Sequence, residues 1–127
     1  MIKLVFCARR RSELTREQFS DYWRNHHGPL FQQHAQRYRA LRYVQSHTLG
    51  GPANDALRAS RGSAEPYDGV GEIWWHSVED FLAVVRDPVM ADLRRLFVED
   101  ESRFVDLARS AVFFTEEVEF PLPPPAN

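Results

Sequence analysis

Residues Thr15-Arg16-Glu17-Gln18-Phe19-Ser20-Asp21-Tyr22-Trp23-Arg24-Asn25-His26-His27-Gly28-Pro29-Leu30 carry a helix with a marked start and a marked stop. Thr15 with Gln18 three residues later is a capping box, and Leu14 with Phe19 takes the positions of a hydrophobic staple. Phe19, Tyr22, Trp23 and His26 follow i, i+3, i+4, i+7 spacing and share one face. The residue before a proline is pushed out of the α region, so the helix is expected to end at Gly28. Pro29 suits the first turn of a second helical piece, through about Arg39. Two imidazoles at the end of an apolar stripe are more than core filling requires.

Strands flank this helix. Ile2, Leu4, Phe6 and Ala8 alternate with Lys3, Val5, Cys7 and Arg9, and Leu41–Leu49 and Val70–His76 alternate likewise. Ser77 with Asp80 caps another helix, Asp87-Pro88 restarts it, and Val89, Leu93, Leu96, Phe97 and Phe104 continue its apolar stripe. Ala111–Phe120 is the last strand. Gly50–Pro66, with three glycines and two prolines, reads as a long loop. The order β-α-β-β-α-β is the ferredoxin-like α+β signature, an antiparallel four-stranded sheet with helices on one face. Residues 1–120 form one domain, and 121–127 a Pro-rich tail of polyproline character. The uncovered sheet face carries apolar side chains, so a homodimer is expected.

Bulk properties narrow the function. The 127 residues are 43% hydrophobic and 27% charged, as in a folded single domain. A formal net charge of −2 gives no field for nucleic acid or an anionic membrane. No apolar run reaches the length of a membrane span or a secretory signal. Cys7 is the one cysteine, which excludes an intrachain disulfide. A cytoplasmic protein is the economical reading.

The chemistry-bearing residues each admit a plainer role. Helical phase puts His26 nearest the middle of the apolar stripe and His27 at its edge. Either one is a proton-transfer group or a hydrogen-bonded structural histidine. Tyr43, Gln45 and His47 form a polar row on one strand face between Leu41 and Leu49, the pattern of a pocket lining or of a solvated strand face. Glu72 is either a carboxylate of raised pKa or one that orients a histidine, or else it meets an arginine or the solvent at a sheet edge. Asp68-Gly69 reads first as turn chemistry. Arg58 and Arg61 are solvated loop charges or anchors for a carboxylate, and Cys7 packs as a small hydrophobe. No His-x-x-x-His, Cys-x-x-Cys, phosphate loop or nucleophile elbow is present, so no metal and no cofactor is expected.

Thr15-x-Glu17-x-Phe19-x-x-Tyr22-Trp23-x-x-x-His27-Gly28-Pro29-Leu30 resembles the N-terminal motif of EthD-domain proteins. Tyr43-Val44-Gln45-Ser46-His47, Tyr67-Asp68-Gly69-Val70-Gly71-Glu72-Ile73-Trp74, Asp100-Glu101-x-x-Phe104-x-Asp106 and Thr115-Glu116-Glu117 resemble its later segments, from Ile2 to about Val118. The resemblance implies a dimeric α+β barrel with a small-molecule pocket between the sheet and helices of each subunit. Relatives resemble methylmuconolactone isomerases and fungal decarboxylases of aromatic polyketides, and neighbouring families include cofactor-free monooxygenases. The motif favours His27 over His26, because Gly28-Pro29 can distort the last turn and rotate His27 inward. Tyr43 falls on the isomerases' strand tyrosine, whereas Ile73 stands where they carry a cysteine.

The expectation is a cofactor-independent isomerase or lyase acting on a small cyclic, aromatic or lactone metabolite, with oxygenation behind. His27 would move a proton next to a carbonyl. Tyr43 and Gln45 would hydrogen-bond the developing enolate oxygen, and His47 or Glu72 would set the protonation state. Phe19, Trp23, His26, Gln45, Asp68 and Trp74 would bind substrate. The rival reading is a non-catalytic carrier that serves an oxidative degradation system.

Overall fold

The computed structural model describes all residues, Met1–Asn127. Strands β1 (Ile2–Ala8), β2 (Arg42–His47), β3 (Gly69–Trp75) and β4 (Ala111–Thr115) form one antiparallel sheet in the order β2-β3-β1-β4. Helices α1 (Arg16–Tyr22), α2 (Gly28–His34), α4 (Val78–Arg86) and α5 (Ala91–Ser102) complete the α+β, ferredoxin-like order. The pairings Leu4↔Ile73, Phe6↔Gly71, Tyr43↔Ile73 and Phe6↔Val112 fix which side chains share a face. Leu4, Phe6, Tyr43, Gly71, Ile73, Trp75 and Val112 therefore face the helices, and Lys3, Val5, Val44, Glu72, Trp74 and Phe113 face away.

The helix that opens at Thr15 does so as a capping box: Thr15 Oγ1 accepts from the Gln18 backbone, and the Thr15 N–H donates to Gln18 Oε1 at 2.8 Å. Its end differs from expectation. Gly28 keeps helical dihedrals (φ −56°, ψ −55°), and its N–H donates to the Trp23 carbonyl five residues back. Trp23–His27 is thus a π turn that runs straight into α2. Pro29 lacks an N–H and crowds the carbonyl four residues back. The wider π turn absorbs that crowding, so the helix continues.

Residues 50–66 also differ from the expected loop: Pro52–Arg61 is a helix, α3. Gly51 (φ 99°) precedes Pro52 at the first helical position, and Gly62 (φ 61°) closes the end by donating its N–H to Arg58 O. No residue of α3 is buried, and its one apolar stripe, Ala53, Ala56 and Leu57, is short, made mostly of alanine and set among glycines and prolines. The second strand is shorter than predicted, the third keeps its length but lies one residue earlier, and β4 stops at Thr115 rather than Phe120. The segment beyond it is exposed, including Val118, Phe120 and Leu122.

The core is split. One cluster holds Phe31, Tyr38, Val84, Met90, Leu93 and Phe97; the other holds Ala8, Phe19, Trp23, Phe104 and Val105. Two glycines of β3 make room for the second cluster. A Cβ on Gly69 would lie 2.4 Å from the Trp23 ring and 3.0 Å from the Ser46 carbonyl, and one on Gly71 would lie 3.2 Å from the same ring. The Trp23 indole lies on the sheet where these side chains are missing.

Candidate active site

The π turn decides which histidine turns inward. An extra residue in the turn rotates all that follows, so His27, not His26, takes the inward position after Phe19 and Trp23. His27 is 8% exposed. His26 is exposed and stacks on Tyr22 at 4.9 Å between ring centroids, away from the cavity. His27 Nδ1 donates to Asp100 Oδ2 at 2.7 Å. The other oxygen, Oδ1, accepts from the Tyr22 hydroxyl at 2.5 Å and from Arg103 at 3.4 Å. With Nδ1 so engaged, Nε2 is the free basic nitrogen of the neutral ring. Burial pulls the His27 pKa below 6.5 against the opposing pull of Asp100, so the ring is neutral at pH 7.

A second chain of hydrogen bonds orients Tyr43. Ser20 Oγ donates to His47 Nδ1, His47 Nε2 donates to Gln45 Oε1 at 2.8 Å, and Gln45 Nε2 donates to the Tyr43 oxygen at 2.7 Å. Gln45 Nε2 also donates to the Trp23 carbonyl at 2.9 Å. Gly28 is what allows this approach, since a Cβ there would lie 2.9 Å from Gln45 Nε2. The Tyr43 oxygen already accepts a hydrogen bond, so its own O–H is left to donate. Burial raises its pKa above 10 and keeps that proton in place.

Between the two core clusters lies a cavity of about 390 Å³, within the size range of small-ligand pockets. Trp23, Phe31, Trp75, Phe81 and Phe97 are its aromatic walls. Its polar groups are few: His27, Tyr38, Tyr43, Arg94 and Glu101. Arg94 is fixed by bonds to the carbonyls of Val85 (2.6 Å) and Asp87 (3.2 Å). Burial, and then the charge of Asp100, raise the Glu101 pKa to about 7.

Residues 11–108 match the EthD domain. The chain belongs to the EthD family. No curated protein matches it. The EthD fold recurs in solved structures of low identity. An EthD family protein from Bacillus halodurans is 16% identical with a TM-score of 0.62, over 93% of this chain and 99% of that one. A protein of Arabidopsis thaliana is 11% identical with a TM-score of 0.58, over 96% and 100%. HapK from Hahella chejuensis is 14% identical with a TM-score of 0.56, over 98% and 100%. At these identities the likeness shows the fold.

Within this EthD domain, the residues singled out from sequence fall into three places. His27, Tyr43 and Trp23 line the cavity together. Gln45, His47 and Phe19 stand behind them: Gln45 and His47 in the chain that orients Tyr43, Phe19 wholly buried against Trp23 at 5.6 Å. Glu72, Trp74, Asp68 and His26 lie elsewhere. The pairing Val5↔Glu72 puts Glu72 on the outer face, where it pairs with Lys3 Nζ at 2.6 Å, so it is not the carboxylate beside His27. Trp74 shares that face, between Lys3 and Arg42, with its N–H on Glu117 at 2.6 Å. Asp68 is buried, bonded to the Arg10 N–H (2.8 Å) and guanidinium (2.6 Å) and to Arg16 (3.3 Å), where it ties the segment after β1 to the start of α1. Arg58 and Arg61 are exposed on α3.

The site residues missed from sequence are Asp100, Glu101, Arg94 and Phe97, all on α5. Arg94, Phe97, Val98 and Glu101 fall at i, i+3, i+4, i+7 and line the cavity. Two charged residues in an otherwise apolar stripe were the available signal. No group of three His, Cys, Asp or Glu side chains is placed to ligate a metal.

Proposed function

We propose that the protein is a cofactor-independent enzyme that moves a proton next to a carbonyl of a small cyclic or aromatic substrate. The observation that carries this reading is the His27–Asp100 pair, which leaves a neutral imidazole nitrogen free at the wall of an apolar cavity. His27 Nε2 takes a proton from the carbon beside the carbonyl, and the Asp100 carboxylate stabilises the imidazolium that forms. The Tyr43 O–H donates to the enolate oxygen as negative charge grows there. The aromatic walls exclude water and so strengthen both interactions.

The same reading includes a homodimer, in which a second copy covers the outer sheet face around Val5 and the 46% exposed Phe113. Sedimentation equilibrium giving a monomer would remove that part.

The chemistry is tested by incubating the protein, with no cofactor added, with a panel of lactones, cyclic ketones and aromatic polyketide intermediates, and measuring product masses. The expected result is an isomer, or a product lighter by carbon dioxide, that disappears in His27→Ala. Tight binding with no conversion across the panel would make the protein a carrier instead.

A further inference from the structure

Glu101 follows Asp100 on α5 and lies one turn beyond Phe97, on the wall of the cavity that holds His27. Its carboxyl makes no hydrogen bond and no ion pair, unlike the neighbouring Asp100. Arg94, the cation on the same wall, is committed to the carbonyls of Val85 and Asp87. The groups that face Glu101 across the cavity are His27 from the π turn, Tyr38 from the segment after α2 and Tyr43 from β2. The strands otherwise present Leu4, Phe6, Gly71, Ile73, Trp75 and Val112, none of them charged. A carboxyl left unpartnered against an apolar wall costs free energy unless it keeps its proton. A side chain needed only for packing at this place would be apolar.

We propose that Glu101 is the second proton-transfer group of the cavity, the acid that returns a proton to the substrate at a different carbon from the one His27 deprotonates. The inference rests on the reading of His27 as base and narrows it to double-bond relocation in an unsaturated cyclic ketone or lactone. His27 Nε2 takes the α proton, and the C–H electrons form a dienolate whose oxygen is held by Tyr43. The Glu101 O–H bond then breaks toward the γ carbon, the carbonyl re-forms, and the double bond becomes conjugated. The product is an isomer of the substrate. After the product leaves, the imidazolium proton passes to the Glu101 carboxylate through the water that refills the cavity, which restores both groups. The carboxyl's raised pKa, about 7, keeps a large share of it protonated at the pH where His27 is neutral.

The test uses the unconjugated, β,γ-unsaturated cyclohexenone in D2O, followed by NMR. The whole protein is expected to give the conjugated isomer with deuterium at the γ carbon. Glu101→Gln is expected to lower isomer formation on the order of 10²-fold while α-proton exchange continues, with partial recovery in Glu101→Asp. An unchanged isomer rate in Glu101→Gln, with His27→Ala inactive, would overturn the role of Glu101 alone. No exchange and no isomer from the unmodified protein would overturn the proton-transfer reading itself. Independently of any substrate, the infrared difference between the protein and Glu101→Gln at about pH 6 is expected to show the C=O stretch of a protonated carboxyl. A carboxylate band there instead would overturn the proposal.

Discussion

His27 Nδ1 and Asp100 Oδ2 lie 2.7 Å apart, although 73 positions separate the two residues in the chain. The bond joins the π turn to α5, the two elements that flank the cavity, and it sets the tautomer of the ring. Asp100→Asn offers an amide N–H to Nδ1 and so favours the proton on Nε2, where the cavity needs a base. Turnover is expected to fall about 10²–10⁴-fold with the fold retained. The tautomer is read from the ¹⁵N shifts of His27; an unprotonated Nε2 in the variant would contradict this account.

The pH dependence follows from the two groups. His27 acts as a base only when neutral, and its pKa lies below 6.5, so activity is lost only as the pH falls below that value. Glu101 acts as an acid only when protonated, and its pKa is about 7, so activity falls as the pH rises through that region. A bell-shaped kcat/KM profile of narrow width is expected. In Glu101→Gln its alkaline limb should vanish from what activity remains.

The same carboxyl weakens the fold at alkaline pH. Its folded pKa of about 7 lies above the ordinary 4.5, so the native state binds the proton more tightly than the unfolded chain. The stability this adds is full below pH 4.5 and is lost as the pH rises through 7. Glu101→Gln is therefore expected to be more stable than the unmodified protein at pH 8 than at pH 5, by about 2–3 kcal/mol in relative terms. Urea unfolding at the two pH values measures this directly; equal differences would place Glu101 in an ordinary solvated setting.

Gly69→Ala brings a methyl group to 2.4 Å from the Trp23 ring. Either the indole or β3 must move, at a cost of about 1–3 kcal/mol. The Gln45 bond to the Trp23 carbonyl and the packing of His47 on Trp23 at 4.7 Å should loosen with it. A fall in the urea midpoint with a changed near-ultraviolet circular dichroism spectrum is the expected result. Gly50→Ala, where nothing lies within 4 Å of the added carbon, is the control.

Local signals carried much of this structure. The Thr15–Gln18 capping box, the alternation of Leu4 and Phe6 with Lys3 and Val5, and the Asp87-Pro88 break all read correctly because each depends on neighbours a few residues away. The inward turn of His27 was legible only through the EthD-like motif, since helical phase assumes a constant 3.6-residue turn and the π turn breaks that assumption. Glu72 was misplaced for a different reason. Alternation in β3 shows that Gly71 and Glu72 face opposite ways, but not which of the two faces the helices. That depended on where the Trp23 indole lies, which is settled by the bare backbone at Gly69 and Gly71. Asp100 went unassigned as a site residue because its partners, Tyr22 and His27, come from the far end of the chain, and Glu101 because the cavity it lines is closed by residues of other elements.

Trp23 and Trp75 line the cavity, whereas Trp74, the third tryptophan, lies behind the sheet with its N–H on Glu117. Two of the three indole fluorophores therefore sit at the binding wall, and the third stands outside it as an internal reference. A compound that enters the cavity will quench or shift part of the emission and leave the remainder. Unlabelled protein is thus already a sensor for its own ligand, and libraries can be screened by light before any product has been identified.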